Sequence, residues 1–88
     1  MPEVAYEERP QYTSEAVRRR VEGIVEIQAV VMADGRVGDT RVIRTLDPDL
    51  DRAAQAAVRA WRFRPGMKGG RPVPVLVLIE LSFVLGKK

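Results

Sequence analysis

Apolar residues fall on every second position in two stretches of this chain and at helical spacing in a third. Near the C-terminus Val73, Val75, Val77, Ile79, Leu81 and Phe83 alternate with Pro74, Leu76, Leu78, Glu80, Ser82 and Val84. Positions i and i+2 share one face of a strand, so residues 73–84 read as a closing strand with one wholly apolar face. Residues 23–32 alternate in the same way. Val25, Ile27, Ala29 and Val31 face one side; Glu26 and Gln28, joined by Val30 and Met32, face the other. Between these runs, Leu50, Ala53, Ala54, Ala57, Val58 and Trp61 recur at i, i+3, i+4, i+7, i+8 and i+11. That spacing is the buried stripe of a helix, which Asp47 caps, Pro48 enters as first residue and Pro65 stops.

The remaining elements rest on shorter signals. Thr13 or Ser14 caps a helix over residues 14–21, with Gly23 as its terminator. Residues 36–45 form a second strand whose alternation breaks at the adjacent Val42 and Ile43, which a bulge would reconcile. Asp34-Gly35 suits a two-residue type I′ turn between the two strands. Residues 66–70 read as a loop. The order is α-β-β-α-β, and the fold class is α+β: a two-layer sandwich with two helices on one face of a three-stranded antiparallel sheet. The first two strands form a hairpin, and the long helix returns the chain. The third strand therefore pairs with the first, giving spatial order 2-1-3 and leaving the third on an edge. Pro72 and Pro74 point the same way. A proline lacks an amide donor, so a strand tolerates it where that donor would face solvent. On that argument Leu76, Leu78, Glu80 and Ser82 turn their backbone groups to the open edge. They are the candidate peptide-binding residues.

Composition narrows the chemistry. The 88 residues suffice for one domain with a modest core. There is no cysteine and no histidine, which removes disulfides, thiol nucleophiles, a histidine base and Cys/His metal sites. Ser14 and Ser82 lack a base partner, so no catalytic residue is assigned and the chain does not read as an enzyme. Asp47, Asp49 and Asp51 imitate the start of a calcium loop, but Arg52 and Val58 stand where it needs glycine and glutamate; helix capping is the better account. No cofactor or metal is implied. Fifteen basic against twelve acidic residues give a mild +3, spread along the sequence, which does not suggest nucleic-acid binding. No apolar run is long enough to span a membrane. Arg59, Arg62 and Arg64 read as a solvated helix face, with an acidic partner as the other reading. Phe63 has two readings, core packing and peptide contact, and joins the candidate site. Leu76, Leu78 and Val30 form an apolar patch on the open face, with two readings: exposed apolar residues that a lone domain tolerates, or pockets for alternate side chains of an added strand.

Several pieces in fixed order resemble the TonB C-terminal domain family. They are Pro10-x-Tyr12, Glu22-Gly23-x-Val25, Asp34-Gly35-x-Val37 and Leu50-Asp51-x-Ala53-Ala54. Ala57-Val58-x-x-Trp61-Arg62-Phe63-x-Pro65, Gly70-x-Pro72-Val73 and the final Phe83 follow. The family commonly has proline where Thr13 stands. Residues 1–9, polar, proline-containing and without period, read as a linker end or a docked tail. The resemblance implies a domain over residues 10–88. It further implies a periplasmic location, the full-length protein being anchored in the inner membrane. The implied partner is an outer-membrane TonB-dependent transporter, gripped at its TonB box by strand addition. An ExbB–ExbD-type complex, reached through a region N-terminal to this segment, would supply force from the proton gradient. A homodimer through the same edge is the other expectation.

Overall fold

The computed structural model describes residues 2–86. Three strands form its main sheet: β2 (Gly23–Val31), β3 (Val37–Arg44) and β7 (Val75–Phe83). They are antiparallel in the order β3-β2-β7, so the closing strand stands at an edge. Helices α1 (Ser14–Arg18) and α2 (Pro48–Arg59) cover one face. Two short ribbons extend this frame. β1 (Glu3–Tyr6) pairs with β4 (Arg62–Arg64), and β5 (Gly66–Lys68) pairs with β6 (Arg71–Val73). The molecule is elongated, 49 × 25 × 15 Å.

The core lies between the helices and the odd-numbered face of β2 and β7. Val25, Ile27, Ala29 and Val31 of β2 meet Ile79, Leu81 and Phe83 of β7, all beneath Ala16, Leu50, Ala54 and Val58. The even-numbered face carries Leu76 and Leu78, both more than half exposed. Strand β2 is regular along all nine residues paired with β7, from Gly23↔Phe83 to Val31↔Val75. Both irregularities of the β2–β3 ladder fall on β3. One extra residue sits opposite Glu26/Ile27 and another opposite Ala29/Val31. The adjacent Val42 and Ile43 of the sequence reflect the first of these.

Helix α2 begins as its sequence dictates. Asp47 accepts from the amides of Asp49 and Leu50 at 3.0 and 3.2 Å, with Pro48 in the first turn. Asp51 reaches back to accept from the amides of Leu46 and Asp47 at 2.9 and 3.3 Å. These carboxylates therefore satisfy backbone donors that the helix start leaves unpaired. Arg19 donates to Asp47 at 2.9 Å and joins α1 to α2. That contact, with the two amides, holds the Asp47 carboxyl below its ordinary pKa. Its contribution to stability is full above the ordinary aspartate range and fades as pH falls through the depressed folded value. Asp47→Ala is expected to lower the melting temperature by about 5–10 °C. It should also flatten the acid limb of a pH–stability profile; an unchanged thermal melt at neutral pH would contradict the capping role.

Four expectations change at the ends of elements. Helix α1 stops at Arg18, not Val21, and Gly23 is not its terminator. Arg20 takes the left-handed conformation, φ 57°, while Val21 N–H donates to Ala16 O and Arg20 N–H to Val17 O. This is a Schellman closure with arginine in the place that glycine usually takes. Helix α2 stops at Arg59, so Trp61 lies beyond it and Arg62–Arg64 is a strand. Residues 66–70 are no plain loop: Gly69 and Gly70, φ 58° and 78°, turn the β5–β6 hairpin. That hairpin takes Val73, and with it the closing strand begins at Val75.

The β2–β3 turn also differs from a type I′ turn, which needs positive φ at both central residues. Gly35 has φ 90°, but Arg20 is the only non-glycine with positive φ among the described residues, so Asp34 does not qualify. Gly35 N–H donates to Met32 O at 2.9 Å and Met32 N–H to Arg36 O at 2.8 Å. The result is a three-residue loop with glycine in its left-handed position.

Candidate functional site: the outer edge of the closing strand

Among the described residues, strand β7 is paired on one side only, with β2. Which backbone groups meet β2 follows from the turn. Met32 N–H addresses Arg36, on the β3 side. Backbone groups alternate sides along a strand, so the even residues of β2 address β3 and the odd residues address β7. Ile27 is opposite Ile79 and Ala29 opposite Val77. Odd residues of β7 thus bond inward, and the amides and carbonyls of Leu76, Leu78, Glu80 and Ser82 turn outward. Pro72 belongs to the β5–β6 hairpin, opposite Met67. With Lys68 and Arg71 flanking the two-glycine turn, Met67 and Pro72 form the next, non-hydrogen-bonded pair, where a missing amide costs nothing.

The edge is bordered by the N-terminal segment. Val4 of β1 lies opposite Phe63 and Glu3 opposite Arg64. The indole N–H of Trp61 donates to Glu8 O at 3.0 Å and fixes the chain beyond β1. Between this segment and β7 run two grooves. One, about 510 Å³, is mainly apolar, with Pro2, Val4, Trp61 and Phe63 facing residues 76–80. The other, about 340 Å³, lies between residues 7–12 and residues 80–84. Glu80 belongs to both.

The sequence-derived candidates separate into two kinds. Leu76, Leu78, Glu80 and Ser82 share the exposed face and outer edge of β7. Phe63 is 8 % exposed, 6.0 Å from Trp61 ring to ring, and belongs to the core while bordering the apolar groove. Sequence reasoning did not include Pro2 or Val4 as groove wall; Trp61, which the sequence offers as core packing or peptide contact, is buried and also borders the groove. The faint signal was Val4 and Tyr6, two positions apart in a stretch read as aperiodic. Glu26 was also passed over. It lies directly opposite Glu80 on β2, with Arg44 across on β3. A hydrogen bond with Glu80, then desolvation and the Glu80 charge, raise the Glu26 carboxyl above its ordinary pKa, against the opposing pull of Arg44.

The geometry defines a class: a two-layer α+β domain with a grooved, unpaired strand edge and no assembled catalytic group among its candidates. Comparison with known proteins gives the family. The model of the Gram-negative bacterial TonB protein C-terminal matches residues 8–85, and the chain belongs to this family. The family is one of energy-transducing transport proteins, not enzymes. Protein TonB of Escherichia coli K12 is 30 % identical over 82 residues, covering 92 % of this chain and 34 % of that protein. Protein TonB of Pseudomonas aeruginosa is 34 % identical over 65 residues, covering 73 % of this chain and 19 % of that protein. The chain thus spans about a third or less of these two relatives. The solution NMR structure of the Pseudomonas aeruginosa TonB CTD superposes with a TM-score of 0.81 at 27 % identity, over 99 % of this chain and 89 % of that one.

Proposed function

We propose that this domain is the periplasmic end of a TonB-type energy transducer and that it binds the TonB box of an outer-membrane transporter by strand addition to β7. The observation that carries the reading is the edge position of β7, with Leu76, Leu78, Glu80 and Ser82 exposed along it. An extended segment can pair with the outward amides and carbonyls, while its alternate side chains take the apolar patch and the groove bordered by Phe63. Family membership supplies the periplasm and the transporter. The same membership suggests force delivered from an ExbB–ExbD-type complex through an inner-membrane anchor.

The test is a backbone NMR titration with TonB-box peptides. In the free domain the even amides of β7 should exchange faster than the odd ones, and peptide should protect the even set. Methylating the Leu78 backbone nitrogen should weaken binding by about 0.5–1.5 kcal/mol, the value of one hydrogen bond. Equal protection of odd and even amides in a dilute monomer would sink the proposal. Protection of the even amides that appears with rising protein concentration alone would instead favour a homodimer through this edge.

A further inference from the structure

Across the open face of the sheet, three charged residues stand in one row: Arg44 on β3, Glu26 on β2 and Glu80 on β7. Read toward the edge, their signs run plus, minus, minus. The two carboxylates are direct cross-strand neighbours, an arrangement that works against the sheet. Because odd residues carry the β2–β7 hydrogen bonds, Glu26 and Glu80 form a non-hydrogen-bonded pair, the closer of the two spacings. Arg44 compensates Glu26 from one side. Among the described residues nothing within the sheet stands on the other side of Glu80, because there the sheet ends. In the groove beside Glu80, Arg9 is accompanied by Glu7 and Glu8, which leaves that wall with more acid than base. Toward the other end of β7 the next two residues on the same face are Leu78 and Leu76, both exposed.

A strand added to β7 places one residue directly opposite Glu80. Glu80 turns both its backbone groups outward, so in antiparallel docking this is a hydrogen-bonded pair, and in either direction both side chains lie on the open face. That residue becomes the fourth in the row. We propose that the segment docking on β7 carries a lysine or arginine opposite Glu80, two positions from an apolar residue opposite Leu78 and four from another opposite Leu76. The inference rests on the strand-addition reading and specifies the chemistry of the bound segment. A cation there completes the row as plus, minus, minus, plus, and each carboxylate then has a basic neighbour. An acidic residue would make three adjacent carboxylates. In the free domain the Glu26 carboxyl is held above its ordinary pKa first by the hydrogen bond with Glu80, then by desolvation and the Glu80 charge, against the pull of Arg44.

The probes are synthetic peptides built on Val-Thr-Val-Thr-Xaa and its reverse, Xaa-Thr-Val-Thr-Val, to cover parallel and antiparallel docking. Xaa is lysine or glutamate. With the native domain, the lysine peptide of one order should bind roughly tenfold more tightly than its glutamate twin in low salt. The gap should narrow as salt is added. On saturation with the lysine peptide, the Glu26 carboxyl should titrate closer to its ordinary pKa, with Glu80, Arg44 and the peptide cation as the facing charges. Glu80→Lys alters an exposed side chain and should reverse the preference. Equal affinities for the twins, with the even amides of β7 responding to both, would overturn the cation assignment and leave strand addition standing. If no peptide perturbs β7, strand addition fails and the assignment fails with it.

Discussion

Gly35→Ala is expected to cost about 3 kcal/mol or more in urea denaturation, far beyond an ordinary turn substitution. A Cβ at Gly35 would stand 2.1 Å from the carbonyl oxygen of Phe63, which is backbone and cannot swing aside. The residue also has φ 90°, a conformation that side chains disfavour. Its carbonyl accepts from Phe63 N–H at 2.8 Å, and Arg36 forms a bridge with Arg62 at the same place. The glycine therefore lets the β2–β3 turn lie against β4 and close one end of the core. Moving the turn away would strain the backbone, lose the hydrogen bond and uncover Phe63. Gly70→Ala is the control. It has φ 78° but nothing within 4 Å, so only the conformational cost of about 1 kcal/mol remains. Equal losses for the two variants would show that the clasp against β4 contributes nothing.

Ile27→Ala should cost about 2–5 kcal/mol, a large part of the stability of a domain this small. Ile27 is fully buried at the centre of β2, between Val42 on β3 and Ile79 on β7. Strands on both sides restrict collapse around the deleted methyl groups, so a cavity would persist. Leu78→Ala is the matched comparison on the opposite face. With 57 % of its surface already exposed, it should change stability by no more than about 0.5 kcal/mol. Comparable losses for the two would mean that the odd face is not the one the helices cover.

Much of this architecture was legible because it is periodic. The alternation of β2 and β7 and the stripe of α2 mark long elements that bury one face, and connection rules then order the sheet. What escaped was short or non-periodic. Trp61 continues the spacing of α2 and is buried, at 6 % exposure, yet it lies past the helix end. A buried aromatic satisfies the helical pattern whether or not the backbone is still helical. Strands β1, β4, β5 and β6 have three or four residues each, too few for a period to register. Their pairing depends on tertiary proximity, which neighbouring residues do not encode. Arg20 was invisible for a different reason. Glycine is the usual sign of a left-handed cap, and here the closure is made with arginine. At the candidate site the edge residues followed from strand order. Glu26 did not, because its significance depends on register, and no single-strand pattern shows that Glu26 faces Glu80.

Strand β1 has a mechanical consequence. Tension entering the chain at its N-terminal end meets a four-residue strand with every side chain exposed, held to β4 by three paired residues. Beyond it come the indole clamp on Glu8 and then Tyr12, whose ring packs edge-on against Phe83 at 5.4 Å. These attachments lie in series along the chain. The nine-residue β2–β7 ladder lies behind all of them. A moderate pull would peel β1 and lengthen the tether while the sheet, and any strand docked on its edge, kept its register. The N-terminal ribbon would then act as a compliant spring ahead of a stiff grip.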